Sequence, residues 1–149
     1  MTDVDRQETT HPEGYRNVRM TRVSDGAFEV VNARGGRLTL GTGGSADFTP
    51  VELLLAAIAG CSAVDVDMLT ARRAQPTTFD VEASGVKVDD EQGHHMIDID
   101  VGFTVRFPQG AEGDKAREML PRAVEASRDR LCTVSRTVAL GTPVSMRHE

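Results

Sequence analysis

Between Pro50 and Val64 the chain offers fifteen residues with a single charge, Glu52, and this run restricts the available folds more than any other feature. Its start is well marked. Thr49 suits an N-cap, Pro50 fits the first helical position, and Glu52 completes a capping box. The pattern predicts a helix to about Arg73, stopping ahead of Pro76. Because its first half is apolar on nearly every side, it should lie centrally and be covered all round. Six or so strands from so small a chain do not wrap such a helix, so the pattern also predicts burial against a second copy. Gly60 costs ~1 kcal/mol of helix propensity relative to Ala, and beside Cys61 it predicts close approach of another backbone or a ligand. The run is read as too short and too interrupted to span a bilayer, so no membrane partner is expected.

Around this helix the pattern alternates between β and α. Residues 1–14 read as a flexible N-terminal arm, and 15–149 as a single domain. Stretches 17–23, 27–31 and 37–40 are β-prone and separated by Ser24-Asp25-Gly26 and Arg34-Gly35-Gly36, which predicts a three-stranded meander. A loop follows over 41–47. Beyond the helix, 78–88 and 96–107 form a second pair of strands. Ile97, Ile99, Val101, Phe103, Val105 and Phe107 alternate with polar or small residues, the period-2 signature of one buried face. The phase change around Gly85 predicts a bulge. A second helix is expected from Asp114 to about Leu131, kinked or restarted at Pro121. One more turn should follow over 136–140, then a last strand near 144–147. The order βββ-α-ββ-α-β defines an α+β fold.

Composition removes several function classes. A net charge of −6 repels a phosphate backbone, and 4% aromatic residues with no Trp give no stacking platform, so no nucleic-acid partner is expected. Arg outnumbers Lys fifteen to two, and Arg is the better residue for holding oxyanions in fixed geometry. The polar first fourteen residues carry no secretory signal. With only two cysteines, a stapled secreted scaffold is not expected, and the cytoplasm is the default. There a protein disulfide is more often transient and catalytic than structural.

The two cysteines sit in unlike settings. Cys61 lies within the apolar helix, whereas Cys132 follows a charged helical stretch and opens Cys132-Thr133-Val134-Ser135-Arg136. As a pair they read as a thiol redox couple, whereas Cys61 by itself reads as a small apolar core residue. A thiol attacks as its thiolate, and a mid-helix cysteine cannot draw on the positive end of its own helix. Catalysis at Cys61 therefore demands a donor supplied from another element.

The segment Thr49-Pro50-Val51-Glu52-Leu53-Leu54-Leu55-Ala56-Ala57-Ile58-Ala59-Gly60-Cys61 resembles the central-helix signature of the OsmC/Ohr family of osmotically inducible and organic-hydroperoxide-resistance proteins. Cys132-Thr133-Val134-Ser135 is similar to that family's second-cysteine segment, and the order of elements extends the likeness over roughly residues 15–147. Ser62-Ala63-Val64-Asp65-Val66 resembles the YhfA-like branch most closely. The resemblance implies an intertwined homodimer with peroxiredoxin-like activity. In it Cys61 would be the peroxidatic nucleophile and Cys132 the resolving thiol. A small-molecule hydroperoxide would be the substrate, and an external dithiol, of lipoyl type in part of the family, the reductant. It implies no metal and no organic cofactor. Leu54, Ile58 and Met68 would line an apolar substrate pocket. The alternative is a non-catalytic member that keeps both thiols and binds a small ligand or senses redox state.

The chain departs from the peroxidase members' pattern at three places. Val51 follows the helix-starting Pro where those members carry Glu, which leaves Glu52 as the available carboxylate. Nine residues along a helix place Glu52 about 180° round and roughly 13 Å from Cys61, so it would act only across a dimer interface. Ser24-Asp25-Gly26 replaces an Arg-Asp-Gly turn, leaving Arg22 and Arg37 as the candidate arginines. Thr133 replaces the usual Pro. Outside this set, His94-His95 with Asp98 and Asp100 has metal-like composition, but successive strand residues point to opposite faces, so no metal site is expected there. Asp65, one helical turn beyond Cys61, shares its face. Arg128, Arg130 and Arg136 flank Cys132 and read as solvated charges or as stabilisers of a leaving thiolate.

Overall fold

The computed structural model describes residues 10–149, so most of the expected arm lies outside the described residues. The chain divides into two compact units, Met1–Pro50 and Val51–Glu149, where the sequence reading expects one domain from residue 15. The hydrogen-bonding pattern accounts for the division, because the strands of each unit pair only among themselves.

The first unit is the expected meander, with β1 (Val18–Ser24), β2 (Ala27–Asn32) and β3 (Arg37–Leu40) antiparallel in that order. Gly26, at φ +67°, turns the chain between β1 and β2, a conformation that costs glycine nothing sterically. Between β2 and β3 the Asn32 side chain accepts from the backbone N–H groups of Arg34 and Gly36, at 3.0 and 2.9 Å, the local bonding that makes Asn a turn residue. The following loop is pinned by a parallel bridge between Leu40 and Phe48. Among the described residues of this unit, Leu40 is the buried large apolar side chain.

In the second unit α1 (Pro50–Thr70) begins at the predicted proline. Its buried residues are Ile58, Ser62, Val66 and Thr70, four apart and therefore on one stripe. The Thr70 hydroxyl is satisfied within the helix by the Val66 carbonyl at 2.9 Å. The expectation of cover on all sides is not met within one chain, since Val64 and Met68 remain 59% and 58% exposed. Nothing else in the chain comes close to Gly60: a Cβ there would meet no atom beyond its own helical turn within 4 Å. The bilayer argument is corrected too. At 21 residues α1 is long and apolar enough to cross a membrane by length and composition. Its apolar character continues past Asp65 to Thr70, further than the first half suggests.

Strands β4 (Thr78–Asp90) and β5 (Gly93–Arg106) form an antiparallel hairpin. Phe79 and Phe103 pack edge to face across it, with centroids 6.4 Å apart. The predicted bulge is present, but the extra residue lies on β5: Ser84 pairs with Asp100 and Val86 with Ile97, so Asp98 and Ile99 together oppose Gly85. Asp98 takes the left-handed φ of 53° that absorbs the kink. A one-residue slip exchanges the faces of a strand. Ile97, expected on the buried face, is accordingly 40% exposed beside Val86 at 51%.

Helix α2 (Ala111–Ala126) starts three residues earlier than expected and carries Pro121 in its interior. Gly113 in its first turn has no room for a side chain, because a Cβ would stand 1.7 Å from the Pro108 carbonyl oxygen. The Arg117 guanidinium fastens the same corner, donating to the carbonyls of Phe107 and Pro108 at 3.1 and 2.9 Å. A single π turn (Ser127–Leu131) follows, then α3 (Thr133–Ala139). The strand expected over 144–147 does not form. No neighbouring strand offers that segment a ladder, and Val144 and Met146 are 80% and 92% exposed. The described order is therefore βββ-α-ββ-α-α, still α+β.

Candidate functional site

The end of α2 places the second cysteine. Across the π turn the Cys132 N–H reaches back five residues to the Ser127 carbonyl, at 2.9 Å, a widened turn of the kind that recurs at functional sites. Cys132 then serves as the N-cap of α3. Its Sγ accepts the Ser135 N–H at 3.3 Å and shares a hydrogen bond of 3.1 Å with the Ser135 hydroxyl. A cap satisfies an orphan amide at the third helical position, a task usually given to Ser, Thr, Asp or Asn. Here sulfur performs it. A third group, the Ser62 hydroxyl of α1, donates to the same sulfur at 3.4 Å. Cys132 is fully buried.

Helix α1 supplies the other side. Ser62 belongs to the buried stripe, which brings Cys61 and Asp65, its neighbours on the helix surface, to the edge of that stripe. Both are half-buried. Cys61 Sγ, Cys132 Sγ and an Asp65 carboxylate oxygen all lie within 4.8 Å of one another. The Asp65 carboxylate is held by the Ser127 hydroxyl, which donates at 2.9 Å from a side chain 1% exposed.

The two thiols are pushed in opposite directions. Burial raises Cys132, but the hydrogen bonds from Ser135, Ser62 and Cys61 outweigh it, and the thiol is held below its usual value. Cys61 is raised, first by desolvation and then by the neighbouring Cys132 charge, against the lowering influence of the Val134 and Thr133 backbone amides. Such a pair titrates as a unit. Its first negative charge is favoured on the buried sulfur, with Cys61 as hydrogen-bond donor to it. Once singly ionised, the pair is a thiol and a thiolate in contact, with Cys61 the less buried sulfur.

A cavity of about 470 Å³ adjoins the cluster. Ser62, Ser127 and Ser135 line it together with the charged Asp100 and Arg128, and Ile58, Val101, Phe103 and Val124 contribute to its apolar walls. Of the predicted pocket residues, Ile58 lines this space. Leu54 and Met68 do not: Leu54 sits one turn nearer the start of α1, and Met68 points to a different side of the helix and is exposed.

The remaining predicted residues stand apart from the thiols or belong to the other unit. Glu52 is exposed and borders a shallow depression with Leu55, Ala56, Ala59, Val81 and Ala83. Because α1 is unbroken, the expected half-turn offset from Cys61 holds. Arg22 pairs with Asp25 at 2.8 Å, and Arg37 pairs with Glu29. Arg128 is held by Asp129 at 2.7 Å and reaches the cavity rim. His94 and His95 lie 3.8 and 3.6 Å from Asp89 and Asp90 respectively, so each imidazole faces its own cross-strand carboxylate. Three hydroxyls escaped the sequence reading. Ser135 was the legible one, since Cys132-Thr133-Val134-Ser135 has the spacing of a cap and its third helical residue; Ser62 and Ser127 carry no such signal.

Sequence comparison extends these observations. A profile of OsmC-like proteins matches residues 41–147, which contain both cysteines. Proteins of Mycobacterium bovis and Mycobacterium tuberculosis, both described as uncharacterised, are 32% identical over 100 residues, covering 66% of this chain and 70% of their own. Among solved structures, an OsmC-like protein of unknown function from Vibrio cholerae superposes with a TM-score of 0.70 at 12% identity, covering 83% of this chain and 92% of that one. A hypothetical protein from Aquifex aeolicus gives 0.68 at 22% identity, with 86% and 89% covered. An OsmC-like protein from Mycoplasma pneumoniae gives 0.66 at 13%, with the same coverage. These likenesses concern the fold, and the profile supplies the lineage: with its capped apolar helix, its hairpin and its two convergent cysteines, this chain belongs to the OsmC-like protein family.

Proposed function

We propose that the chain is a thiol-dependent reductase of small organic hydroperoxides. The observation that carries this reading is the convergence of Cys61 and Cys132, from separate elements, within 4.8 Å, beside a cavity lined by Ser62 and Ser135, whose hydroxyls bond the Cys132 sulfur. Cys61 is the attacking sulfur because it is the less buried member of the pair. In the first step Cys61 Sγ bonds to one peroxide oxygen, the O–O bond breaks, and the departing alkoxide leaves as an alcohol with the proton released from Cys61. The thiolate of Cys132, already the acceptor of that proton's hydrogen bond, is the relay. In the second step the Cys132 thiolate attacks the Cys61 sulfenic sulfur, the S–O bond breaks, and the departing hydroxide takes a proton from solvent and leaves as water. An external dithiol, lipoyl-type by family analogy, restores both thiols by exchange. The apolar walls favour organic peroxides over hydrogen peroxide, and no resident cofactor takes part. The family analogy also supports an intertwined homodimer and a cytosolic setting, where reductant is plentiful.

The test is consumption of cumene hydroperoxide or tert-butyl hydroperoxide with a dithiol reductant. Sustained turnover in the wild type, and its loss in Cys61→Ser, is the expected result. Formation of the Cys61–Cys132 disulfide without turnover would instead assign the chain to redox sensing. Absence of any peroxide reaction at Cys61 would leave the cavity as a ligand-binding site.

A further inference from the structure

The geometry points to a second use of the same cluster: we infer that reduced Cys61 and Cys132, together with Asp65, form a binding site for a thiophilic divalent cation of the zinc class. The inference stands independently of peroxide chemistry. Two sulfurs bound at about 2.3 Å and a carboxylate oxygen at about 2.0–2.2 Å can be separated from one another by no more than ~4.6 Å. Around a tetrahedral ion the same bond lengths set the ligand atoms roughly 3.5–3.8 Å apart; the three candidate atoms lie within 4.8 Å of one another, so they close on an ion with shifts of about 1 Å or less, within reach of side-chain rotation. Among the described residues, no other set of three such side chains meets that condition.

The surroundings match what such a site requires. Ligating carboxylates are commonly oriented by an outer hydrogen bond, and Asp65 has one from Ser127 at 2.9 Å, on a hydroxyl 1% exposed. Cys132 is fully buried and receives hydrogen bonds from the Ser62 hydroxyl and the Ser135 amide, which hold its sulfur in place toward Cys61. Asp65 follows Cys61 by one helical turn, the spacing that puts two ligands on one helix face. Two sulfurs and one oxygen favour zinc-like ions over magnesium or calcium, which prefer oxygen alone. Two thiolates and a carboxylate carry three negative charges, and a divalent cation reduces the excess to one, which the surrounding hydroxyl and amide donors soften. Three protein ligands leave a fourth position open. The hydroxyls of Ser62, Ser127 and Ser135 mark the side on which it meets the cavity, so a water or a small ligand completes the tetrahedron.

Binding involves no change of oxidation state. The metal replaces the thiol protons, and the Cys61–Cys132 disulfide, having no thiolate to offer, excludes it. Metal occupancy and oxidation are therefore competing fates of the same two sulfurs.

The experiment is a cobalt(II) titration of the full-length reduced chain, freed of small-molecule thiols, followed by displacement with zinc and equilibrium dialysis for stoichiometry. One ion per chain is expected, with thiolate-to-cobalt charge-transfer absorption and the intense visible bands of a four-coordinate ion. Asp65→Asn, which can still accept from Ser127, should weaken binding at least ten-fold, and Cys61→Ser should abolish the charge-transfer band. The wild-type disulfide form, which needs no substitution, should bind no cobalt. Cobalt binding without charge-transfer absorption, equal binding by the disulfide form, or unchanged affinity in Asp65→Asn would each overturn the proposal. Peroxide turnover that survives such a result would show that the reductase reading does not depend on the metal.

Discussion

Cys61 and Cys132 are separated in chemical character by what touches each sulfur. Cys132 is enclosed by Ser62, Ser135 and an amide, whereas Cys61 is half-exposed with its valence available. Substitution should divide their roles. Cys61→Ser should abolish peroxide reduction, whereas Cys132→Ser should react once and then stall with an oxidised Cys61, visible by mass spectrometry after one equivalent of peroxide. Access gives an independent check: a bulky maleimide added briefly to the reduced native protein should label Cys61 well before Cys132, as peptide mapping would reveal. Equal labelling would contradict the buried position of Cys132. Glu52 makes a third case at this scale. If it serves the start of α1, Glu52→Gln should lower stability by less than ~1 kcal/mol and leave the peroxide rate nearly intact. A ten-fold rate loss at unchanged melting temperature, about 1.4 kcal/mol of barrier, would instead give it a role at a partner's thiol.

At the scale of elements, α3 begins where it does because a cysteine caps it. Cys132→Ser preserves that cap with a better acceptor, so its stability should stay close to wild type. Cys132→Ala leaves the Ser135 amide and the Ser62 hydroxyl without their acceptor and should be less stable than the serine variant by about 1 kcal/mol. Urea unfolding of the two variants side by side measures the difference. The corner before α2 is less tolerant. With 1.7 Å between an added Cβ and the Pro108 carbonyl, Gly113→Ala must move backbone and should cost about 1–3 kcal/mol, read from the same unfolding curves. Legibility varied in the same way. The capped start of α1 was local chemistry and was readable, as were the turn residues of the meander. The β5 bulge was half readable: Gly85 marked the place, but the uninterrupted alternation from Ile97 to Phe107 concealed that Asp98 carries the extra residue. The expected last strand failed because strand formation depends on a neighbour, which residues 144–147 lack.

At the scale of the molecule, one chain buries only a stripe of α1 and leaves apolar side chains outside. Val64, Met68, Val86 and Ile97 are each at least 40% exposed. A second copy is the cover that the family analogy supports. Sedimentation of the reduced protein at micromolar concentration should give twice the chain mass, with unfolding midpoints that rise with concentration. A monomer that unfolds with full cooperativity and no concentration dependence would remove both the dimer and any cross-subunit role for Glu52.

The sequence by itself determined the pieces whose cause is local or periodic. These are the helix over Pro50–Thr70, the turns of the first sheet, the hairpin that follows, and the identity of the two cysteines as a related pair. Tertiary structure alone decided which atoms meet. The seventy-one positions between Cys61 and Cys132 are closed by the packing of Ser62 against the cap of α3 and by the π turn that carries Ser127 onto Asp65. No propensity or periodicity encodes those contacts, because each depends on the rotational setting of one helix against another. The order of acidity in the pair was decided there as well. Charge settles where hydrogen-bond donors converge, and four of them, from Ser135, Ser62 and Cys61, converge on Cys132.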